Sequence, residues 1–330
     1  MKTENKKNKT KNVAFLKRVY KSPSFGIVSV LLLMCIVLAI ATPRFLDLEQ
    51  NLLPVIRSFS FTALMALGEC LVIITGGIDL SVGSVFAFSG VVSCMSMVNW
   101  GMPMWLGVII GIACGAVLGL MNGLFITKLK LPPFIATLGM MSIARGLAYT
   151  LTEGYPVNNL PESFKFIGQG YIGAIPFPII LLLIFSVIFS VFLRKTIIGR
   201  RVYALGGSEE ATKFSGINTD TIKMVVYSIS GVMSAIAGMA TAARLGVAQS
   251  TAGSGYEMDA IAAVIIGGAS LSGGVGTIFG TIIGAAIMGV LRNGLVLLSV
   301  SAYWQQTIIG CVIIFAVTID QFRHMRNKSK

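Results

Sequence analysis

Apolar residues in this 330-residue chain come in long blocks, not in alternation. Ten blocks run over 24–42, 52–75, 84–98, 105–127, 134–152, 177–193, 222–243, 257–272, 276–299 and 302–319. A bilayer core takes about 20 apolar residues per helix, so the pattern predicts ten spans. The third and eighth blocks are short and are expected as half-helices. The period-two alternation of a membrane barrel is absent, and in lipid a helix satisfies its own backbone. The expected fold is therefore an all-α polytopic membrane protein. It has about ten transmembrane helices with both termini cytoplasmic, and short or broken helices beside two GG-x-x-LS segments. The domains read as a basic arm over 1–23, one membrane domain over 24–320 and a basic tail over 321–330.

The polar interruptions carry the information. "LVIITGGIDLSVGS" (71–84) runs into Gly76, Gly77, Asp79, Ser81 and Gly83 with no Lys or Arg nearby. A weak echo, "GGASLSGGVGTIF" (267–279), brings Gly267, Gly268, Ser270 and Ser272. Glycine-interrupted, shortened segments repeated in two halves of a chain mark broken helices around a pathway. One reading places the 76–81 segment as a helix break facing protein or a water-filled path, with Asp79 and Ser81 capping freed N–H groups. The plainer reading is that Asp79 caps the third span at the cytoplasmic face. Between 153 and 176 a Pro-, Gly- and Asn-rich stretch reads as a structured outer loop.

The inner stretch 194–223 contains "LGGSEEATKFSGIN". Ser208 suits an N-cap, Glu209 and Glu210 the first turn, Lys213 the last, and Gly216 the C′ position. The implied helix has about two turns, too few to stand alone in water. It either rests on its own chain or docks a partner, with Phe214 as the apolar knob. Gly107, Gly111, Gly115, Gly119 and Gly123 recur every four residues in the fourth span. Such spacing lets two helix backbones approach closely, within one chain or between two.

Composition sharpens this picture. The chain is 55% apolar and 12% charged, too oily for an ordinary soluble domain. The +13 net charge suggests nucleic acid until the charges are threaded onto the spans. Of 26 Lys and Arg, twenty fall in the arm, the 128–133 loop, the 194–223 loop and the tail. That is a positive-inside bias, so a lipid bilayer and no nucleic acid is the implied partner. The first block also resembles a signal peptide ending in "AIA", but its length favours an uncleaved span. The five cysteines all sit in apolar blocks without C-x-x-C spacing, which suits buried hydrophobes. No phosphate-binding G-x-x-x-x-G-K-[ST] occurs, and His324 is the only histidine. No catalytic residue and no metal site is predicted. Glu69, Asp79, Arg145 and Arg292 are the ionisable residues read as lying at membrane depth, too thin a set for a proton relay.

"LVIITGGIDLSVGS" (71–84), "GRRVYALGGSEEATKFSGIN" (199–218), "ARLGVAQSTAGSGYEMDAIAAVIIGGASLSGG" (243–274) and "YWQQTIIGCVIIFAVTID" (303–320) together resemble the membrane permease subunits of bacterial ATP-binding-cassette importers for simple sugars. The resemblance covers about 25–322. It implies a multi-pass protein of the bacterial cytoplasmic membrane, paired as a homodimer. It also implies a separate cytoplasmic ATPase, which holds the ATP and Mg, and an extracytoplasmic sugar-binding protein. No cofactor is expected in this chain. The coupling segment would be Gly206, Gly207, Ser208, Glu209, Glu210, Ala211, Thr212, Lys213, Phe214, Ser215 and Gly216. Ribose is the sugar this resemblance favours; another small sugar, the furanose-like quorum signal or a nucleoside are its alternatives. A stand-alone facilitator or channel is the rival of a different class. Gln305, with Tyr303 and Trp304, heads the last span, where it meets sugar or binding protein or merely neighbours an interfacial aromatic anchor.

Overall fold

The structure is a computed structural model that describes residues 23–328, with the backbone alone at 23–24 and 319–328. The basic arm before Pro23 and the last two residues of the tail lie outside the described residues. All ten apolar blocks form helices: α1 (Pro23–Ala41), α2 (Leu53–Ile74), α3 (Val82–Val98), α4 (Met104–Thr127), α5 (Pro133–Thr152), α7 (Phe177–Lys195), α10 (Thr219–Leu245), α11 (Tyr256–Ile266), α12 (Ile278–Leu297) and α13 (Ala302–Lys328). Proline in the first turn of α2, α5 and α7 starts those helices, where its missing N–H costs nothing. Among the described residues six helices are long and apolar enough to cross a membrane, and three shorter apolar ones accompany them.

Several expected boundaries shift. The block 257–272 is helical only through Ile266, because Gly267 and Gly268 turn the chain out of the helix. Helix α13 continues past 320, where a separate tail was expected. The 153–176 stretch folds into α6 (Glu162–Gln169) and a hairpin of β1 (Tyr171–Ile172) and β2 (Ile175–Pro176), with Tyr171 opposite Pro176. The 194–223 stretch is mostly helix: α8 (Ile197–Gly207) and α9 (Glu209–Phe214) lie within it. Gly206 and Gly207 thus close α8 and do not belong to the following helix.

Helix α10 is the central post, lying along α4, α3 and α2. Gly111, Gly115, Gly119 and Gly123 of the α4 stripe face this post, while Gly107 faces α3. A Cβ on Gly123 would lie 2.7 Å from Met224 Cα, and one on Gly115 2.7 Å from Ala235 Cβ. Further along, Gly111 faces Met239 and Ser93, and Gly107 faces Met97. The stripe is consumed by packing inside the chain. The outward faces of α1 and α7 carry exposed Leu33, Ile40, Ile184 and Val187 instead. The five cysteines are free thiols, two of them fully buried.

Candidate functional site

Helices α2 and α11 end in the same way. The Gly76 amide donates to Ile73 O (2.9 Å) and the Gly77 amide to Val72 O (3.0 Å). The Gly268 amide donates to Ile265 O (2.8 Å) and the Ala269 amide to Val264 O (3.1 Å). This is the Schellman pattern, which needs a left-handed residue at C′. Gly76 (φ +79°) and Gly268 (φ +88°) supply it. The sequence echo set Gly76 against Gly267; in three dimensions its counterpart is Gly268.

The two breaks touch. Gly274 N–H donates to Ile74 O across 2.8 Å, and Ser270 N–H closes its own loop onto Val275 O at 3.0 Å, with Ser272 N–H on Ser270 Oγ at 3.3 Å. Gly206, at the end of α8, lies against the same spot. A Cβ there would strike Ile74 O and Gly274 N. Tyr203 of α8 donates its hydroxyl to Gly276 O at 2.8 Å. The end of α8 is thus keyed into both helix breaks.

Beyond Gly207 comes α9. Ser208 Oγ accepts from the Ala211 amide at 3.2 Å, the cap its position promised. Thr212 is buried and donates to Ser208 O at 2.7 Å. Ser215 ends the helix, and Gly216 (φ +76°) is its left-handed C′ residue. Glu209 bridges Lys213 at 2.9 Å and Lys223 of α10 at 2.8 Å. Partial burial would raise the Glu209 carboxyl, but hydrogen bonds from Lys223 and Lys213 outweigh it and hold the group below its ordinary value. These contacts fasten a helix too short to persist alone. Phe214, 91% exposed, touches nothing that would bury it.

Asp79 is buried in the α2–α3 connection. Its Oδ1 accepts from Ser81 N (2.9 Å) and Ser81 Oγ (2.6 Å), and its Oδ2 from Ser230 Oγ of α10 (3.0 Å). Asn122 of α4 donates to Ser81 Oγ at 2.9 Å and reaches Asp79 Oδ1 at 3.5 Å. The Asp79 amide donates to Glu69 Oε1 at 3.1 Å, and Glu69 Oε2 is buried without a partner among the described residues. Asp79 therefore ties a helix break to α2, α4 and α10. It caps the Ser81 amide, while α3 itself, with Ser81 at its N-cap, has no side-chain cap. Gly83 opens α3 against Gly253 and Glu257.

Sequence reasoning missed a second irregular segment at 246–255. Arg145 of α5 donates through Nη1 to Ser250 O (2.5 Å) and Ala252 O (2.7 Å). The lone arginine of α5 was the available signal, since irregular backbone inside a membrane protein needs donors for its carbonyls.

At the end of the molecule opposite α9, a cavity of about 400 Å³ opens between α2, α10, α11, α12 and α13. Gln305 lines it; the Gly76–Gly83 and Gly267–Ser272 segments do not. Asp259 of α11, also missed, accepts from Arg292 Nη2 at 2.8 Å through Oδ1 and 2.7 Å through Oδ2. Asn293 exchanges amide hydrogen bonds with Asn51 (2.7 and 3.2 Å), holding α12 at the mouth. Such a volume, with a few polar groups among apolar walls, has the character of a small-molecule site.

Residues 51–317 match the family described as "Branched-chain amino acid transport system / permease component". The chain is 44% identical over 324 residues to the ribose import permease protein RbsC of Bacillus subtilis, covering 97% of this chain and 99% of that protein. It is 42% identical over 323 residues to RbsC of Haemophilus influenzae, covering 96% and 98%. It is 37% identical over 321 residues to the galactose/methyl galactoside import permease protein MglC of Escherichia coli, covering 92% and 95%. No solved structure matches the chain.

Proposed function

This chain belongs to the permease family described as the branched-chain amino acid transport system permease component, and from that premise we propose that it is the membrane subunit of an ATP-driven ribose importer. It is a multi-pass protein of the bacterial cytoplasmic membrane and a transport subunit, not an enzyme. The observation that carries ribose is the 44% identity to a ribose import permease over nearly the whole chain. The galactose and xylose permeases stand lower, at 37% and 34%.

In this reading the ten helices all span or enter the bilayer, and both termini are cytoplasmic. The α9 end faces the cytoplasm, in keeping with the basic residues around it. Two copies pair, a separate ATPase binds below with ATP and Mg, and a sugar-binding protein docks above. Phe214 is the knob that enters the ATPase, and Glu209 with its two lysines keeps α9 rigid enough to transmit force. Gly206 carries the push. Because it abuts Ile74 and Gly274, a shift of α8 and α9 displaces both helix breaks together. ATP then biases the transporter only through contacts that differ between its inward- and outward-open states.

Reconstitution with the ATPase and the binding protein, followed by uptake of a panel of labelled sugars with and without ATP, tests the proposal. ATP-dependent accumulation of ribose ahead of xylose and galactose is the expected result. Uphill accumulation by the chain alone, or ATP-independent equilibration, would overturn it in favour of a different transport class.

A further inference from the structure

We propose that the cavity at the end opposite α9 is a monosaccharide subsite within the permease itself, on which sugar rests after leaving the binding protein. The inference rests on the importer reading and adds to it the place where the cargo is held.

The lining has the chemistry of a polyol site, with one further cation on its wall: Arg244, whose guanidinium lies over the Phe61 ring at 5.7 Å. Asp259 is buried and spends both carboxylate oxygens on one nitrogen of Arg292. The pair carries no net charge, yet Arg292 remains 41% exposed as a fork of donors. Its Nε, and the hydroxyl of Thr241 on the facing wall, find no hydrogen-bond partner among the described residues. Gln305 anchors its amide nitrogen on Val300 O at 2.9 Å, which fixes its direction at the cavity edge. Phe59 and Tyr256 supply apolar ring faces, suited to the C–H face of a sugar ring. Donors, acceptors and ring faces around about 400 Å³ fit a hydroxylated ring. They do not fit an acyl chain, which would leave the polar atoms unpaired. Asp259 is a positioning residue: it acts through Arg292.

Two variants test the subsite in the assembled complex. Removing Arg292 would strand the buried Asp259 carboxylate and risk misfolding, so the steric variant is Val296→Trp. Val296 lines the cavity and is 61% exposed, which leaves room for the larger ring. Maximal ribose uptake should fall by about tenfold or more, while half-saturation stays where the binding protein sets it. In parallel, Val296→Cys should react with a membrane-impermeant maleimide more slowly, by about threefold, in ribose than in mannitol, with the wild-type chain as background for its own thiols. A wild-type complex that moves no sugar defeats the importer reading and this inference with it. A wild type that moves ribose overturns the subsite alone if Val296→Trp moves it equally fast and Val296→Cys labels at one rate in both media.

Discussion

Gly206 and Ile74, far apart in the chain, are packed so closely that a single methyl group on the glycine would strike the Ile74 carbonyl oxygen. That oxygen already accepts the Gly274 amide at 2.8 Å. The methyl of Gly206→Ala must therefore displace backbone, not a flexible side chain. The variant should lose about 1–3 kcal/mol of stability, the usual cost of overpacking. Gly207→Ala meets open space at an ordinary φ and should be neutral or slightly stabilising. Thermal unfolding of the two proteins in detergent checks the contrast, and equal midpoints would refute it.

Phe214→Asp should abolish co-purification of the ATPase while the protein inserts and unfolds normally. The exposed ring makes no contribution to its own chain's core, whereas central aromatic anchors in an interface contribute about 2 kcal/mol or more. Recovery of the ATPase at wild-type yield would remove Phe214 from the docking surface.

Among the described residues the Asp79 carboxylate accepts from Ser81 N–H, Ser81 Oγ, Ser230 Oγ and Asn122 Nδ2. Asp79→Asn must turn an amide NH2 toward one of them. Turned toward Ser230 Oγ, the amide can donate to a hydroxyl that now donates to Asp79, so the cost should be about 1 kcal/mol, the loss of one charge-assisted hydrogen bond, and Asp79→Ala should cost more. Wild-type thermal stability together with wild-type uptake in Asp79→Asn would show that the carboxylate is dispensable.

The Glu209 bridges contribute a pH-dependent share of stability. A carboxyl held below its ordinary value stabilises above its unfolded-state pKa and loses that contribution as pH falls through the folded one. Its side chain is 38% exposed, so screening limits the share to about 0.3–1 kcal/mol. Glu209→Gln should lower the unfolding midpoint slightly at neutral pH, and the gap from wild type should close in acid. A gap that widens as pH falls would contradict the assignment.

Arg145 holds the 246–255 segment by two backbone carbonyls. Arg145→Ala should leave both unpaired and make Gly246–Gly255 cleavable by protease, with loss of about 2–4 kcal/mol. Unchanged protease resistance would count against it.

Much of this was legible from the residues. Helix-sized apolar blocks, the Ser208 cap, the Gly216 terminus and the glycine stripe follow from local rules, and each is where those rules put it. What depends on distant partners was not. Lys223 as the second holder of Glu209 lies beyond the helix it braces. Asp259 was hidden in a short apolar block because its partner Arg292 sits on another helix. The end of α11 at Ile266 was overrun because a run of small apolar residues reads as helix until the left-handed glycine is seen.

The face of α4 that permits intimate backbone approach is already occupied by α10 and α3. If a second copy pairs with this chain, as proposed, it meets the bulky aliphatic exterior instead. Its seam would be shaped by how leucine and isoleucine crowns mesh, leaving it broad, shallow and tolerant of conservative exchange.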